Sequence, residues 1–166
     1  LLALIGVMGI VAELLQEGIR LITGGTTVIH GPQSAPEVGM DYNGSCNMDG
    51  GFLVISGTNS YMTQAPGSGS DQYCLKITSN QGLSASTLIH IQDAAANNIL
   101  TFQPARTYYS IIFSSAELQT GITYSVYTGG TCTGANVDGL YTGGAYSGGT
   151  FRKSFTISGT ITNVNF

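Results

Sequence analysis

Apolar and polar residues alternate, or β-branched residues cluster, in six short stretches of the second half of the chain. They span residues 73–78, 87–92, 98–102, 107–113, 123–127 and 153–157. Alternation with a period of two directs successive side chains to opposite faces of a strand. Turn-forming clusters separate the stretches at irregular intervals, as is typical of a β-sandwich. The pattern therefore predicts an all-β fold with a β-sandwich-like region over residues 73–166.

The first half of the chain carries an internal repeat with an offset of 26 residues. Residues 18–31 align with residues 44–57, and both copies carry a Gly-Gly pair followed by a Val-Ile pair. A short repeat that cannot bury its apolar face alone is the signature of a solenoid. We therefore expect residues 18–72 to form rungs of a short parallel β-helix and a crossing loop at 58–72, packed as one unit with residues 73–166.

An uncharged apolar run occupies residues 1–12. Polar residues then recur at three- and four-residue steps, which predicts an apolar N-terminal helix over residues 1–17. The run is too short to span a bilayer and does not have the form of an intact signal peptide. The helix either caps the open end of the solenoid or inserts into a neighbouring subunit. The candidate assembly residues are Leu1, Leu2, Leu4, Ile5, Val7, Ile10 and Val11.

Charge is scarce along the chain. Charged residues make up 8% of it, and five Lys and Arg stand against nine Asp and Glu, for a net charge of −4. The basic footprint of a nucleic-acid-binding protein is missing, so we expect no nucleic-acid partner. Low charge also means little repulsion between copies, which favours a homo-oligomer or polymer.

Covalent side-chain chemistry is limited to three cysteines and one sequon. Cys46, Cys74 and Cys132 match no metal-ligand spacing, and we interpret them as buried small hydrophobic residues. A Cys74–Cys132 disulfide, or a bond between subunits, is the alternative. Asn43 begins the sequon Asn-Gly-Ser and is the glycosylation candidate.

Catalytic chemistry has little support in the sequence. The two histidines, His30 and His90, fall within strand-like segments away from any nucleophile motif, so we expect each imidazole to be a satisfied structural group. Nucleophile elbow, phosphate loop and zinc signature are missing. Asp49 and Asp138 each precede a glycine, which favours turns over metal ligands. We expect neither enzyme activity nor a metal site.

Recognition chemistry is carried by a recurring phrase of tyrosine, a small hydroxyl residue and two glycines. YTGG begins at Tyr127 and Tyr141, and YSGG begins at Tyr146. Tyrosine rings stack on the apolar faces of sugars, while hydroxyl, amide and carboxylate groups fix the orientation. The alternative is that these rings fill gaps at the edge of the sandwich. The candidate glycan-binding residues are Tyr124, Tyr127, Asn136, Asp138, Tyr141 and Tyr146.

Several segments, taken in order, resemble one protein family. They are GGTTVIHGP, MDYNG, MTQAP, LIHIQD, ILTFQPARTYYSIIFSSAEL, YSVYTGG, DGLYTGGAYSGGT and SFTISGTITNV, and the resemblance covers residues 22–166. They resemble the C-terminal region of secreted clostridial carbohydrate-binding domain-containing proteins, which are similar to pectate-lyase-like β-helices. The resemblance implies secretion, β-helix rungs leading into further β-structure, an association with calcium and plant polysaccharides, and no catalysis. The family's acidic coils are replaced here by the apolar segment, so we assign no cofactor and leave calcium as the open alternative.

Two functions fit these observations. The first is an extracellular structural and adhesive protein, a subunit that self-assembles into a surface filament or fibre through residues 1–12 and exposed strand edges. The alternative is a non-catalytic polysaccharide-binding module, secreted or at the cell surface, that uses the tyrosine-rich loops.

Overall fold

The structure, a computed structural model, describes residues 7–10 and 14–166, and these residues form strands and turns. No helix occurs among them. The strands are β1 (Val7–Ile10), β2 (Leu14–His30), β3 (Met40–Gly57), β4 (Cys74–Leu83), β5 (Ile89–Asp93), β6 (Asn98–Phe102), β7 (Tyr108–Ser114), β8 (Thr123–Thr128), β9 (Thr131–Cys132), β10 (Ala135–Val137), β11 (Leu140–Thr142), β12 (Tyr146–Ser147), β13 (Thr150–Thr156) and β14 (Ile161–Asn165). The predicted all-β class is confirmed.

Each of the six stretches with alternating or β-branched character overlaps a strand: β4, β5, β6, β7, β8 and β13, in order. The alternation has the expected physical origin. In β8, for example, Tyr124 and Val126 are fully buried, whereas Ser125 and Tyr127 between and after them are only half-buried. One set of side chains therefore faces the core and the other faces away from it.

The strands form two large sheets and one small one. The first sheet has the order β1-β2-β3-β7-β4-β14, and the second has the order β10-β11-β6-β5-β8-β13. The first sheet is mixed, because β1, β2 and β3 are parallel, β7 runs against both of its neighbours, and β14 is parallel to β4. The second sheet is antiparallel throughout. Strands β9 and β12 form a separate antiparallel pair.

The two copies of the repeat are neighbouring parallel strands. Gly18 lies opposite Gly44, and Val28 lies opposite Val54, so the pairing has the same offset as the repeat. Beyond β3 the sheet continues with the antiparallel β7, which takes the place where a third rung would stack. The predicted β-helix solenoid is therefore not seen in the described residues. What the repeat encodes is one parallel strand pair inside a larger mixed sheet.

The predicted helix over residues 1–17 is not supported. Residues 7–10 form β1, and residues 14–17 belong to β2. Strand β1 pairs with β2, with Val7 opposite Thr26. Backbone partners along the open edge of β2 favour an extended conformation for a segment rich in Val and Ile. Of the assembly candidates, Val7 and Ile10 lie in β1; Leu1, Leu2, Leu4, Ile5 and Val11 lie outside the described residues.

Two hydrophobic clusters lie on opposite faces of the first sheet. The larger cluster joins residues of both large sheets, among them Val54, Leu75 and Phe113 from the first and Ile89 and Phe102 from the second. It forms the core of a two-layer, sandwich-like arrangement.

The second cluster lies on the far face of the first sheet, where Ile55, Cys74 and Ile112 point away from the second sheet. The crossing loop at residues 58–72 covers it, because Ala65 of that loop belongs to the same cluster. The loop is fixed by hydrogen bonds from the Met48 amide to the Ser70 hydroxyl (2.9 Å) and from the Tyr42 hydroxyl to the Ala65 carbonyl (2.8 Å).

This layering excludes a Cys74–Cys132 disulfide within one chain. Cys74 is fully buried on the far face of the first sheet, while Cys132 lies in β9 beyond the second sheet. Packed sheets are roughly 10 Å apart, whereas the Cα atoms of a disulfide are about 4.4–6.8 Å apart. Cys46 and Cys74 are buried as expected, and Cys132 is half-buried.

The described residues contain no helix that is long and apolar enough to cross a membrane.

Candidate functional site

The outer face of the second sheet, opposite the core, gathers aromatic and polar side chains. Ile89 and Ile91 of β5 are buried in the core, so His90 between them faces outward. His90 lies opposite Thr101 of β6 on one side and Tyr127 of β8 on the other. Tyr127 in turn lies opposite Phe151 of β13. Thr101, His90, Tyr127 and Phe151 thus form one row across the sheet, here called the outer row.

Tyr141 extends the outer row at its other end. Its neighbour Leu140 pairs with Phe102 and packs against the core, so Tyr141 points to the outer side. The row now reaches from β11 to β13, which is four strand spacings, or roughly 19 Å. Phe151 is 53% exposed, and Tyr127 and Tyr141 are half-buried. The face is therefore a partly exposed aromatic surface.

Tyr146 covers the middle of the outer row. The short β9–β12 pair carries it over His90, and the two rings stack with centroids 3.8 Å apart and planes 13° apart. The Tyr146 hydroxyl donates a hydrogen bond to the Gly129 carbonyl at 2.8 Å. A Cβ atom at Gly149 would overlap that hydroxyl, so a side chain there would displace the Tyr146 ring. Burial raises the pKa of Tyr146, with a smaller contribution from the neighbouring Tyr127.

His90 is enclosed by polar partners as well as by the Tyr146 ring. Its Nδ1 lies 2.8 Å from the Thr101 hydroxyl, and its Nε2 lies 3.2 Å from Gln92 Oε1. Thr101 donates to Asn98 Oδ1 at 2.8 Å, which continues the network. Burial lowers the pKa of His90, so the imidazole is neutral at neutral pH. Because Thr101 donates to Asn98, the neutral imidazole carries its hydrogen on Nδ1, and Nε2 lies beside the Gln92 carboxamide as an acceptor.

A cavity of about 430 Å³ opens beside the stacked His90 and Tyr146 rings. Its walls come from β5, from the turn before β6, and from the Gly143–Gly144 loop. A side chain at Gly144 would overlap the backbone of Gly134, so this glycine lets the loop approach closely. The glycine pair of the phrase that begins at Tyr141 therefore shapes one wall of the cavity.

The Asp138–Gly139 turn closes the β10–β11 hairpin at the edge of the second sheet. Asp138 and Gly139 have φ angles of +51° and +82°, as a tight two-residue hairpin turn requires. The Asp138 carbonyl accepts a hydrogen bond of 3.0 Å from His30 Nε2, and His30 Nδ1 accepts one of 3.0 Å from the Ala105 amide. His30 is thus a satisfied structural histidine, and Asp138 is explained by its turn.

Gln103 gathers two further candidates at that edge. Its Oε1 accepts hydrogen bonds from Asn136 Nδ2 at 3.1 Å and from the Tyr141 hydroxyl at 3.2 Å. Asn136 is exposed and adjoins the outer row through Tyr141, its partner across the hairpin. The structure therefore brings Asn136, Tyr127, Tyr141 and Tyr146 to one face.

Tyr124 does not belong to this face, which corrects the sequence-based assignment. It is 1% exposed and packs in the core, where its ring stacks on Phe155. Its hydroxyl accepts a hydrogen bond from the Gln119 amide and donates one to the Glu117 carbonyl. Tyr124 and Tyr127 are three residues apart in one strand, so they point to opposite faces.

Sequence reasoning missed Phe151, His90, Gln92 and Gln103 as parts of this face. Phe151 sits beside an irregularity at Arg152, where the register with β8 shifts. His90 lies between the two buried isoleucines of β5, and Gln92 follows the second. Alternation within β5 therefore predicts that both side chains face outward. The cross-strand neighbours, however, follow only from the register.

The described residues place no three His, Cys, Asp or Glu side chains close enough together to hold a metal ion. Asn43, the glycosylation candidate, is exposed in β3.

Comparisons with protein-family models, with curated proteins and with solved structures find no match to this chain.

Proposed function

We propose that this chain is a non-catalytic polysaccharide-binding module that acts outside the cell. The observation that carries the proposal is the outer row, in which Tyr141, Tyr127 and Phe151 share one partly exposed sheet face with Tyr146. Aromatic rings supply apolar area for the C–H faces of sugars at a low entropy cost. A rigid sheet holds them at fixed spacing, which suits a repetitive ligand.

The ring orientations favour a single glycan chain over a flat crystalline surface. The Tyr127 ring is inclined by 60° to Tyr146 and by 69° to Phe151, with centroids 6.3 Å and 5.6 Å apart. A flat polysaccharide surface would need coplanar rings, whereas a chain that twists between sugar units can meet inclined ones. Soluble chains are therefore the expected ligands.

Polar groups beside the rings would fix the orientation of a bound sugar. Gln103 and Asn136 lie next to Tyr141, and the paired hydroxyls of Ser125 and Ser154 (2.9 Å) lie one step along β8 from Tyr127. Amide and hydroxyl groups both donate and accept, which matches the hydroxyl groups of sugars.

The proposal is tested by affinity electrophoresis in gels containing soluble neutral or acidic plant polysaccharides. We expect at least one polysaccharide to retard the chain, and the double variant Tyr127→Ala with Phe151→Ala to remove that retardation. Tyr61→Ala is the matched control, because Tyr61 is 91% exposed but lies in the crossing loop on the other side of the first sheet. Equal mobility of the double variant and the unchanged chain in every gel would contradict the proposal.

A fibre subunit is the second candidate, and strand β14 supports it. This strand forms an edge of the first sheet and carries no charged residue, so it leaves backbone groups for another copy to pair with. Thr160 and Phe166 form backbone hydrogen bonds with β4. Asn163 lies an odd number of residues from both, so its backbone amide points away from β4, toward the open edge of the sheet. We expect Asn163→Pro to abolish fibres seen by electron microscopy; a chain that is monomeric at high concentration would overturn this candidate.

A further inference from the structure

The cavity beside Tyr146 has a composition that selects among sugars. It is about 430 Å³ in volume, within the range of small-ligand pockets. Its polar side chains are those of Gln92, Asn97, Asn98 and Thr101, together with the His90 imidazole. Among the described residues that line it, none is Asp, Glu, Lys or Arg. The lining is therefore polar but carries no formal charge.

The polar groups are held in place by one another. Asn98, Thr101 and His90 form the chain of hydrogen bonds described above, and the Gln92 carboxamide lies beside the second ring nitrogen of His90. Asn98 is exposed in the lining and uses its oxygen in this network, so the network leaves its amide nitrogen for a ligand. Preorganised amides lose little entropy when a ligand binds.

The only charged side chain in the adjoining turn is that of Asp93, and its oxygens accept hydrogen bonds within the turn. Asp93 accepts hydrogen bonds from the amides of Ala95 (2.9 Å) and Asn97 (2.8 Å), and from the Asn97 side chain (2.8 Å). It is a turn-closing carboxylate, and its negative charge repels an anion approaching the cavity. The net charge of −4 acts in the same direction.

We propose that this cavity binds one uncharged sugar unit of the polysaccharide and discriminates against uronic acid units. A neutral hexose or pentose offers hydroxyl groups that pair with amides in either direction. A uronate carboxylate would lose its hydration without meeting a cation. The inference rests on the proposed function, since the glycan reaches the cavity along the outer row.

The test is isothermal titration calorimetry with soluble neutral oligosaccharides (from glucan, xylan and mannan) and with oligogalacturonate of the same length. We expect binding to at least one neutral oligosaccharide and none to oligogalacturonate at physiological ionic strength. The variant Asn98→Asp places a carboxylate in the lining, and we expect it to weaken neutral binding by about tenfold. Asn80→Asp is the charge-matched control. Asn80 is exposed, lies beyond the last residue of β4 that pairs with β14, and does not line this cavity.

Three outcomes would overturn the inference in distinguishable ways. Tighter binding of oligogalacturonate than of any neutral sugar would contradict the selectivity and leave the polysaccharide-binding function standing. Unchanged affinity of Asn98→Asp, alongside loss of binding in the Tyr127 and Phe151 double variant, would show that the cavity takes no sugar. No binding by any oligosaccharide would overturn the proposed function and the inference together.

Discussion

At the residue scale, glycines decide how closely neighbouring backbones can approach. In the repeat, the Gly-Gly pairs of β2 and β3 stack on each other, and Gly25 and Gly51 both have positive φ angles, of +80° and +89°. A Cβ atom at Gly51 would lie 2.7 Å from the Gly24 carbonyl carbon and 2.8 Å from the Gly25 oxygen. The close approach of the two corners therefore leaves no room for a side chain at Gly51.

Gly51→Ala should destabilise the chain through both strain and overlap. Gly121→Ala is the matched control, because Gly121 also has a positive φ angle (+76°) but has no atom within 4 Å of the added Cβ. We expect Gly51→Ala to lower the free energy of unfolding by about 2 kcal/mol more than the control does. Urea unfolding followed by circular dichroism measures the difference, and equal losses would show that the corners can move apart.

At the element scale, His30 holds the β10–β11 hairpin and the loop before β7 against the end of β2. Its ring stacks on Phe102 with centroids 5.2 Å apart. One neutral tautomer, with hydrogen on Nε2, satisfies both the Asp138 carbonyl and the Ala105 amide. The hairpin that carries Asn136 and Tyr141 is thereby fixed relative to the outer row.

His30→Phe preserves the ring but removes both hydrogen bonds. We expect a loss of about 1–3 kcal/mol in the free energy of unfolding, because two backbone groups lose their partners in a largely buried place. Hydrogen exchange should become faster in residues 135–142, which separates local loosening from global destabilisation. Val137→Ala, an exposed change on the same hairpin, should leave exchange unaltered. Unchanged exchange in His30→Phe would mean that sheet pairing alone holds the hairpin.

The elements were predictable to the extent that they depend on local pattern. Strands β4 to β8 and β13 follow from alternation or β-branched composition, and the pairing of β2 with β3 follows from the repeat. The neighbour of β3 did not follow, because the antiparallel approach of β7 depends on residues more than fifty positions away. Strands β9 and β12 are two residues each and arise from glycine turns, which leave no periodic signal.

The residues of the candidate site were likewise predictable only where they depend on local pattern. The tyrosine phrases single out Tyr127, Tyr141 and Tyr146, and the structure places all three on one face. Tyr124 does not reach that face, because its place in the alternation of β8 assigns it to the core. Phe151 was missed because an irregular register at Arg152 sets its partner.

At the scale of the whole molecule, the stability of the fold should depend on pH through His90. Burial lowers the pKa of His90 below its ordinary value of 6.5. Below pH 6.5 the unfolded chain takes up a proton at this residue that the folded chain does not, so the unfolded state is favoured. The contribution is complete above pH 6.5 and is lost progressively as the pH falls toward the lower, folded-state pKa.

This dependence is measured by urea unfolding at several pH values between 7.5 and 5. We expect the free energy of unfolding to fall across this interval, and His90→Gln to show a shallower fall because glutamine does not titrate. The carboxylate of Asp93, whose pKa is lowered by hydrogen bonds from Asn97, titrates below this interval. A slope that is identical in both chains would assign the effect to another group.

The pairing of β14 with β4 has a kinetic consequence. Ile161 lies opposite Cys74, and Val164 is fully buried in the core that both sheets share. The first sheet is therefore complete only after β14 has emerged from the ribosome, long after its partner β4. Contacts of such long range slow folding. We expect the nascent chain to stay incompletely folded until residues 161–165 have been synthesised.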